Sequence, residues 1–210
     1  FTAIKTWNDA DNQDGIRPES VTFTLTAKTA DESELEADDL GLSSLEATVT
    51  ANNNWRYTWT DLPKTVNGQA VTYGVSEEIP DGYSVSYNYN VPGYAFVTNT
   101  HTPATVNITI NKIWDDANDQ DGIQPESVTG SLYRAEGGSY VKVQDFVITG
   151  ENWSTTINGL PQKAGGQEIA YYVSENAVAE YELTASGSSV TVDDSKAAYP
   201  VIDGAVTLTN

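Results

Sequence analysis

A seventeen-residue segment occurs twice in this chain. Lys5-Thr-Trp-Asn-Asp-Ala-Asp-Asn-Gln-Asp-Gly-Ile-Arg-Pro-Glu-Ser-Val21 returns, with few changes, as Lys112-Ile-Trp-Asp-Asp-Ala-Asn-Asp-Gln-Asp-Gly-Ile-Gln-Pro-Glu-Ser-Val128, displaced by 107 positions. No other feature constrains the fold as strongly, because self-similarity on this scale means two copies of one structural unit. Later landmarks recur at an offset of 98: Trp55 and Trp153, Leu62-Pro63 and Leu160-Pro161, Glu77 and Glu175, Tyr83 and Tyr181. The change of nine places an insertion in the first copy, between Pro18 and Trp55. The last landmark, Asn99 and Asn210, is offset by 111, so the second copy carries thirteen extra residues after its Glu. Two homologous domains of about 100 residues follow, 1–100 and 105–210. The linker 101–104 is short and contains Pro103, which predicts a semi-rigid joint.

Each copy reads as all-β. A first strand ends at Trp7 or Trp114, and an Asp/Asn/Gly-rich loop runs from there to the Pro. Further strands are expected over Val21–Ala27 and Val128–Arg134, Val71–Glu77 and Ile169–Glu175, Tyr94–Asn99 and Ala205–Asn210. Short alternating segments separated by turn signals predict a β-sandwich. One helical segment is expected: Asp31–Leu40, rich in Glu, Leu and Ala, has the composition for two or three turns ending before Gly41.

Composition removes several function classes. A net charge of −20 opposes binding to nucleic acid phosphates or to an anionic membrane surface. With no cysteine, disulfides, thiolate metal sites and cysteine nucleophiles are excluded. No stretch reaches the length and apolarity of a membrane-spanning helix. The absence of Met and of a signal peptide predicts a piece excised from a longer chain.

The alternation also exposes three misplaced polar groups. Ala3, Lys5 and Trp7 share a strand face, as do Val106, Ile108, Ile110, Lys112 and Trp114. Tyr73, Val75 and Glu77 share another, matched by Ile169, Tyr171, Val173 and Glu175. Ala95, Val97 and Asn99 share a third, matched by Val206, Leu208 and Asn210. Each domain thus aims one Lys, one Glu and one Asn into its core, where unpaired polar groups are costly. One explanation is a hydrogen-bonded cluster or buried ion pair. The other is covalent. Desolvation lowers a lysine pKa and raises that of a glutamate. A neutral amine is then a nucleophile, a carboxamide an acyl donor, and a neutral Glu can polarise the amide and shuttle protons. Ammonia leaves and a Lys–Asn isopeptide bond remains.

The motifs Lys-x-Trp-x-Asp, Asp-Gly-x-x-Pro-Glu-Ser-Val, Gly/Asp-Leu-Pro, Tyr-x-Val-Ser-Glu and a terminal Thr-Asn, each present twice, resemble the B-type domains of Gram-positive collagen adhesins, which also build pilins and surface-protein stalks. The resemblance covers nearly the whole chain. It implies β-sandwiches of inverse immunoglobulin-like topology and an intramolecular isopeptide bond formed once, without turnover. Carried over by motif, Lys5 bonds Asn99 with Glu77 as catalyst, and Lys112 bonds Asn210 with Glu175. Trp7, Trp114, Tyr73 and Tyr171 would supply apolar surroundings. The implied setting is an extracellular, cell-wall-anchored stalk whose partners are neighbouring domains of the same surface protein, with no cofactor. The rival expectation is a binding module that contacts a host extracellular-matrix protein or a glycan.

Other candidates are weaker. Asp9–Gly15 resembles a calcium loop, but with Gly15 at the sixth position Ala10 and Val21 fall where ligands are required, so an Asx-rich turn is expected and no metal site. Glu78 lies on the face opposite Glu77 and aligns with Asn176. The acidic segment Asp31–Asp39 reads as solvated decoration, and His101 has no nucleophile constellation around it. Asn107-Ile-Thr109 and Asn152-Trp-Ser154 fit glycosylation sequons, which the bacterial origin implied by the resemblance would make irrelevant.

Overall fold

The computed structural model describes all 210 residues, apart from the side chain of Asp194. Contacts divide the chain into two compact units, Phe1–Pro103 and Ala104–Asn210. The first contains β1 (Thr2–Asn8), β2 (Ser20–Thr29), β3 (Glu46–Thr50), β4 (Arg56–Thr58), β5 (Thr65–Val66), β6 (Gln69–Glu77), β7 (Ser84–Asn88) and β8 (Tyr94–Thr100). The strands form two sheets, ordered β4-β1-β8-β7 and β3-β2-β6-β5. Period-two burial explains the layering: in β8, Ala95, Val97 and Asn99 are buried while their neighbours are not. Val21, Phe23, Leu25 and Val75 from one sheet meet Ala3, Ala95 and Val97 from the other in a single core.

The second unit repeats this plan with β9 (Thr105–Ile113), β10 (Ser127–Glu136), β11 (Ser139–Thr149), β12 (Ser154–Pro161), the small ribbon β13 (Lys163–Ala164) and β14 (Gln167–Glu168), β15 (Tyr171–Glu175), β16 (Thr184–Ala185), β17 (Val190–Thr191), β18 (Ala197–Pro200) and β19 (Ala205–Thr209). Its sheets are β12-β9-β19-β16 and β11-β10-β15-β18-β17. The thirteen extra residues form β17 and β18, which extend the second sheet beyond β15. Both units are all-β sandwiches.

In each unit the first and last strands are parallel neighbours. Lys5 lies opposite Val97 and Trp7 opposite Asn99. Lys112 lies opposite Leu208, and Asn210 comes two residues later, donating its backbone N–H to Ile113 O at 3.1 Å. The cores differ by an exchange across one strand pair. Phe23 faces Ala47 in the first unit, whereas Gly130 faces Phe146 in the second. A Cβ at Gly130 would run into the Phe146 ring and the Ser174 carbonyl, so the aromatic has moved one strand over and glycine makes room for it.

The expected helix over Asp31–Leu40 is corrected. Helical backbone is confined to a 3₁₀ turn at Asp38–Leu40, ended by Gly41 in the left-handed region. The rest is a strap tied to β2: Lys28 bridges Glu34, and Leu35 N–H bonds Ala27 O at 2.9 Å. Six carboxylates repel along so short a helix, while Leu35 and Leu40 gain burial by packing against the sandwich.

Candidate functional site

Strand register decides where the three polar side chains meet. Lys5 and Asn99 stand on adjacent parallel strands, two residues out of step, so their side chains are diagonal neighbours on the core face. Glu77 ends β6 in the facing sheet, and its alternation with Val75 turns it inward. The Lys5 Nζ lies 3.1 Å from Glu77 Oε2, and both side chains are wholly shielded from solvent. Asn99 Nδ2 donates to Glu77 Oε1 at 2.5 Å. In the second unit Lys112 Nζ is 3.6 Å from Glu175 Oε2, and Asn210 Nδ2 donates to Glu175 Oε1 at 2.8 Å. In both units one carboxylate therefore touches the amine and the carboxamide at once.

Burial sets the charge state. It pushes the Lys5 and Lys112 ammonium pKa values down, against the opposing pull of Glu77 and Glu175. It pushes the Glu175 carboxyl up, against the opposing pull of Lys112 and Asn210. Both shifts at the second site act in one direction: burial disfavours the charged form of the amine and of the carboxyl alike. The carbonyl oxygens Oδ1 of Asn99 and Asn210 are buried without a hydrogen-bond partner among the described residues. Rotating either amide by half a turn would turn that oxygen toward the Glu carboxyl group.

The aromatic surround has a definite architecture. Trp7 lies under Lys5, with Nζ 4.5 Å from the ring centroid, and Trp114 lies under Lys112 at 4.4 Å. Each indole is held edge-to-face between two further rings, Trp55 and Tyr83 for Trp7, Trp153 and Tyr181 for Trp114, at centroid separations of 4.8–5.2 Å. Tyr73 and Tyr171 instead donate to the Pro63 and Pro161 carbonyls, each at 2.7 Å, and fix the strand entering the Glu.

Residues beyond those anticipated complete the site. Tyr83 OH donates to Asp9 Oδ2 at 2.9 Å, and Arg17 clamps the same carboxylate through Nε at 2.9 Å and Nη2 at 2.6 Å. Asp9 is buried, and the Arg17 hydrogen bonds bring its pKa down to about 2. Burial, with Asp9 beside it, pushes Tyr83 up to about 12. Asp116 takes the same place in the second unit, accepting from Tyr181 at 3.0 Å and from Gln124 at 3.1 Å. The loop expected to be Asx-rich is so built: Asp9 Oδ1 accepts the Asn12 N–H, and Ala10, Asp11 and Asn12 are successive left-handed residues. Tyr83 is a landmark of the repeat and Asp9 falls inside the repeated segment, but a loop aspartate gives no periodic signal of its burial. Glu78 is exposed, while Asn176 bonds Thr129. His101 bridges Gly82 O and Asp14 Oδ2, each at 2.9 Å.

The comparisons with known proteins agree with the fold. The family model of the Cna protein B-type domain matches residues 1–100 and 108–195. A collagen adhesin of Staphylococcus aureus is 35% identical over 191 residues, which is 90% of this chain but 15% of that protein. The crystal structure of two B repeat units of the collagen binding protein of Staphylococcus aureus superimposes with a TM-score of 0.76 at 30% identity, over 99% of this chain and 48% of that one. Among the described residues no helix is long and apolar enough to cross a membrane. Matched by the family model over most of both halves, the chain belongs to the Cna B-type domain family.

Proposed function

We propose that each domain closes on itself through a Lys–Asn isopeptide bond, Lys5 to Asn99 and Lys112 to Asn210, and that the pair serves as a tension-resistant stalk segment of a Gram-positive, cell-wall-anchored adhesin or pilin. The observation that carries this reading is the carboxylate of Glu77 or Glu175 touching both the amine and the carboxamide, in a dry core, twice. In the reaction the Lys ammonium gives a proton to the Glu carboxylate and its Nζ attacks the Asn Cγ. The Nζ–Cγ bond forms, the Cγ–Nδ2 bond breaks, the proton held by Glu passes to the departing nitrogen, which leaves as ammonia, and Nζ gives its surplus proton to the Glu carboxylate, so the new amide keeps one N–H and Glu ends protonated. The folded core supplies proximity and excludes the water that would compete for Cγ. Each Glu acts once, so the chemistry matures the protein and is not a turnover activity.

The mechanical consequence follows from topology. The bond would join adjacent first and last strands, so tension entering near one end of a domain leaves near the other without loading the rest of the sandwich. The 94 positions between Lys5 and Asn99, and the 98 between Lys112 and Asn210, would be shielded. Single-molecule pulling on the chain tests the reading. Cross-linked domains give no unfolding step, whereas an unlinked domain lengthens by roughly 300 Å, given about 3.5 Å per extended residue. Full-length unfolding steps from both domains of the wild-type chain would refute it.

A further inference from the structure

The two domains protect the same strand edge in different ways. The outward-facing backbone of β15 is covered by β18: Tyr172 pairs with Pro200, Val173 with Tyr199, and Val201 N–H bonds Tyr171 O at 2.9 Å. Beyond its pairing with β5 at Gln69 and Ala70, the equivalent edge of β6 has no such strand among the described residues. Tyr89 OH accepts from Val75 N at 3.3 Å and donates to Val75 O at 3.2 Å, while Tyr87 OH accepts from Glu77 N at 3.1 Å. Ser86 pairs with Thr98 as Thr184 does with Thr209, so Ala185 and Gly187 stand where the first domain has these tyrosines. A Cβ on Gly187 would approach Pro200 Cγ to 2.8 Å. Tyrosine and added strand are therefore alternative occupants of one edge.

The outer face beside that edge differs in the same sense. Tyr133 and Tyr172 are cross-strand partners in the second domain and lie beneath Val192 and Ala198, which the thirteen-residue insertion brings over them. The corresponding pair in the first domain is Thr26 and Gly74. Between them, Thr72 and Tyr89 opens a cleft of about 590 Å³. We propose that this cleft and the outer edge of β6 form a docking site for an extended, uncharged peptide segment of a partner protein, added as a strand in place of the tyrosine hydroxyls. The occupant's chemistry is that of the segment filling the homologous place, Ala197-Ala-Tyr-Pro-Val201, with backbone hydrogen bonds holding the strand and alternate side chains entering the cleft. The hydroxyl bonds of Tyr89 are longer than the strand bond in the second domain, and Tyr89 is 46% exposed, so the cover is displaceable. Cross-linking plays no part in this proposal, and neither result below bears on it.

The test is an amide-resolved NMR titration of the full chain with a capped synthetic peptide of the sequence Ala197–Ile202. Saturable shifts of the Val75 and Glu77 amides are expected, and a Tyr87→Phe/Tyr89→Phe double variant should bind up to about tenfold tighter because the competing hydroxyls are gone. Gly74→Tyr, which fills the cleft as Tyr172 does, should abolish the shifts. Absence of saturation in both wild type and double variant, or shifts centred on Val173, or equal binding by a scrambled peptide, would overturn the proposal. So would concentration-dependent broadening of Val75 and Glu77 without peptide, which assigns the edge to a second copy.

Discussion

Replacing Asn99 by Ala removes the proposed acyl donor while leaving Lys5 and Glu77 to pair at 3.1 Å. The variant therefore isolates the covalent term from the large penalty of an unpaired buried charge. Two effects add. Loss of the amide's bond to Glu77 and of some packing costs about 1–2 kcal/mol. Loss of a cross-link enclosing the 94 positions from Lys5 to Asn99 costs about 5 kcal/mol, by the chain-entropy relation used for disulfides. For a domain of this size 1 kcal/mol moves the transition by about 4–8 °C, so the cross-link term alone is worth at least about 20 °C. In scanning calorimetry of the full chain one transition should fall by that amount and the other, from the second domain, should stay. Glu77→Gln, which keeps the volume but cannot relay the proton, should lower the same transition by a comparable amount. A shift of about 4–16 °C for Asn99→Ala, the size the noncovalent losses explain, would refute a covalent closure.

Two further outcomes follow from the same structure. Asp9 has its pKa brought from 3.8 to about 2 by Arg17, so its contribution is complete above pH 3.8 and is lost as pH falls toward 2. That is about 2 kcal/mol, and acid unfolding of the first domain should lose this share of its pH slope in Asp9→Asn. Gly130→Ala should destabilise only the second domain, by about 1–3 kcal/mol, because the new methyl meets the Ser174 carbonyl and the Phe146 ring; chemical denaturation that leaves its midpoint unchanged would contradict the packing described.

Much of this was legible in the residues because β-structure converts sequence parity into position. Lys5, Glu77 and Asn99 continue apolar stripes, and period two leaves only the core for them to face. The repeat then removes coincidence, since Lys112, Glu175 and Asn210 break the same rule at the same places. What stayed hidden depends on contacts that parity does not encode. Asp31–Leu40 has helical composition, yet tertiary burial of Leu35 and Leu40 decides its path. The burial of Asp9 depends on Arg17 and on Tyr83, which is 74 positions away. The thirteen-residue excess of the second domain was countable, but that it adds a strand to β15 where Tyr87 and Tyr89 cover β6 required the pairing itself.

The most direct measurement is the intact mass of the folded chain. Two isopeptide bonds release two molecules of ammonia, so the protein should weigh about 34 Da less than its sequence, and Glu77→Ala should recover about 17 Da of that deficit. A mass equal to the sequence mass would leave the Lys–Glu–Asn clusters as hydrogen-bonded groups and contradict the covalent closure of both domains.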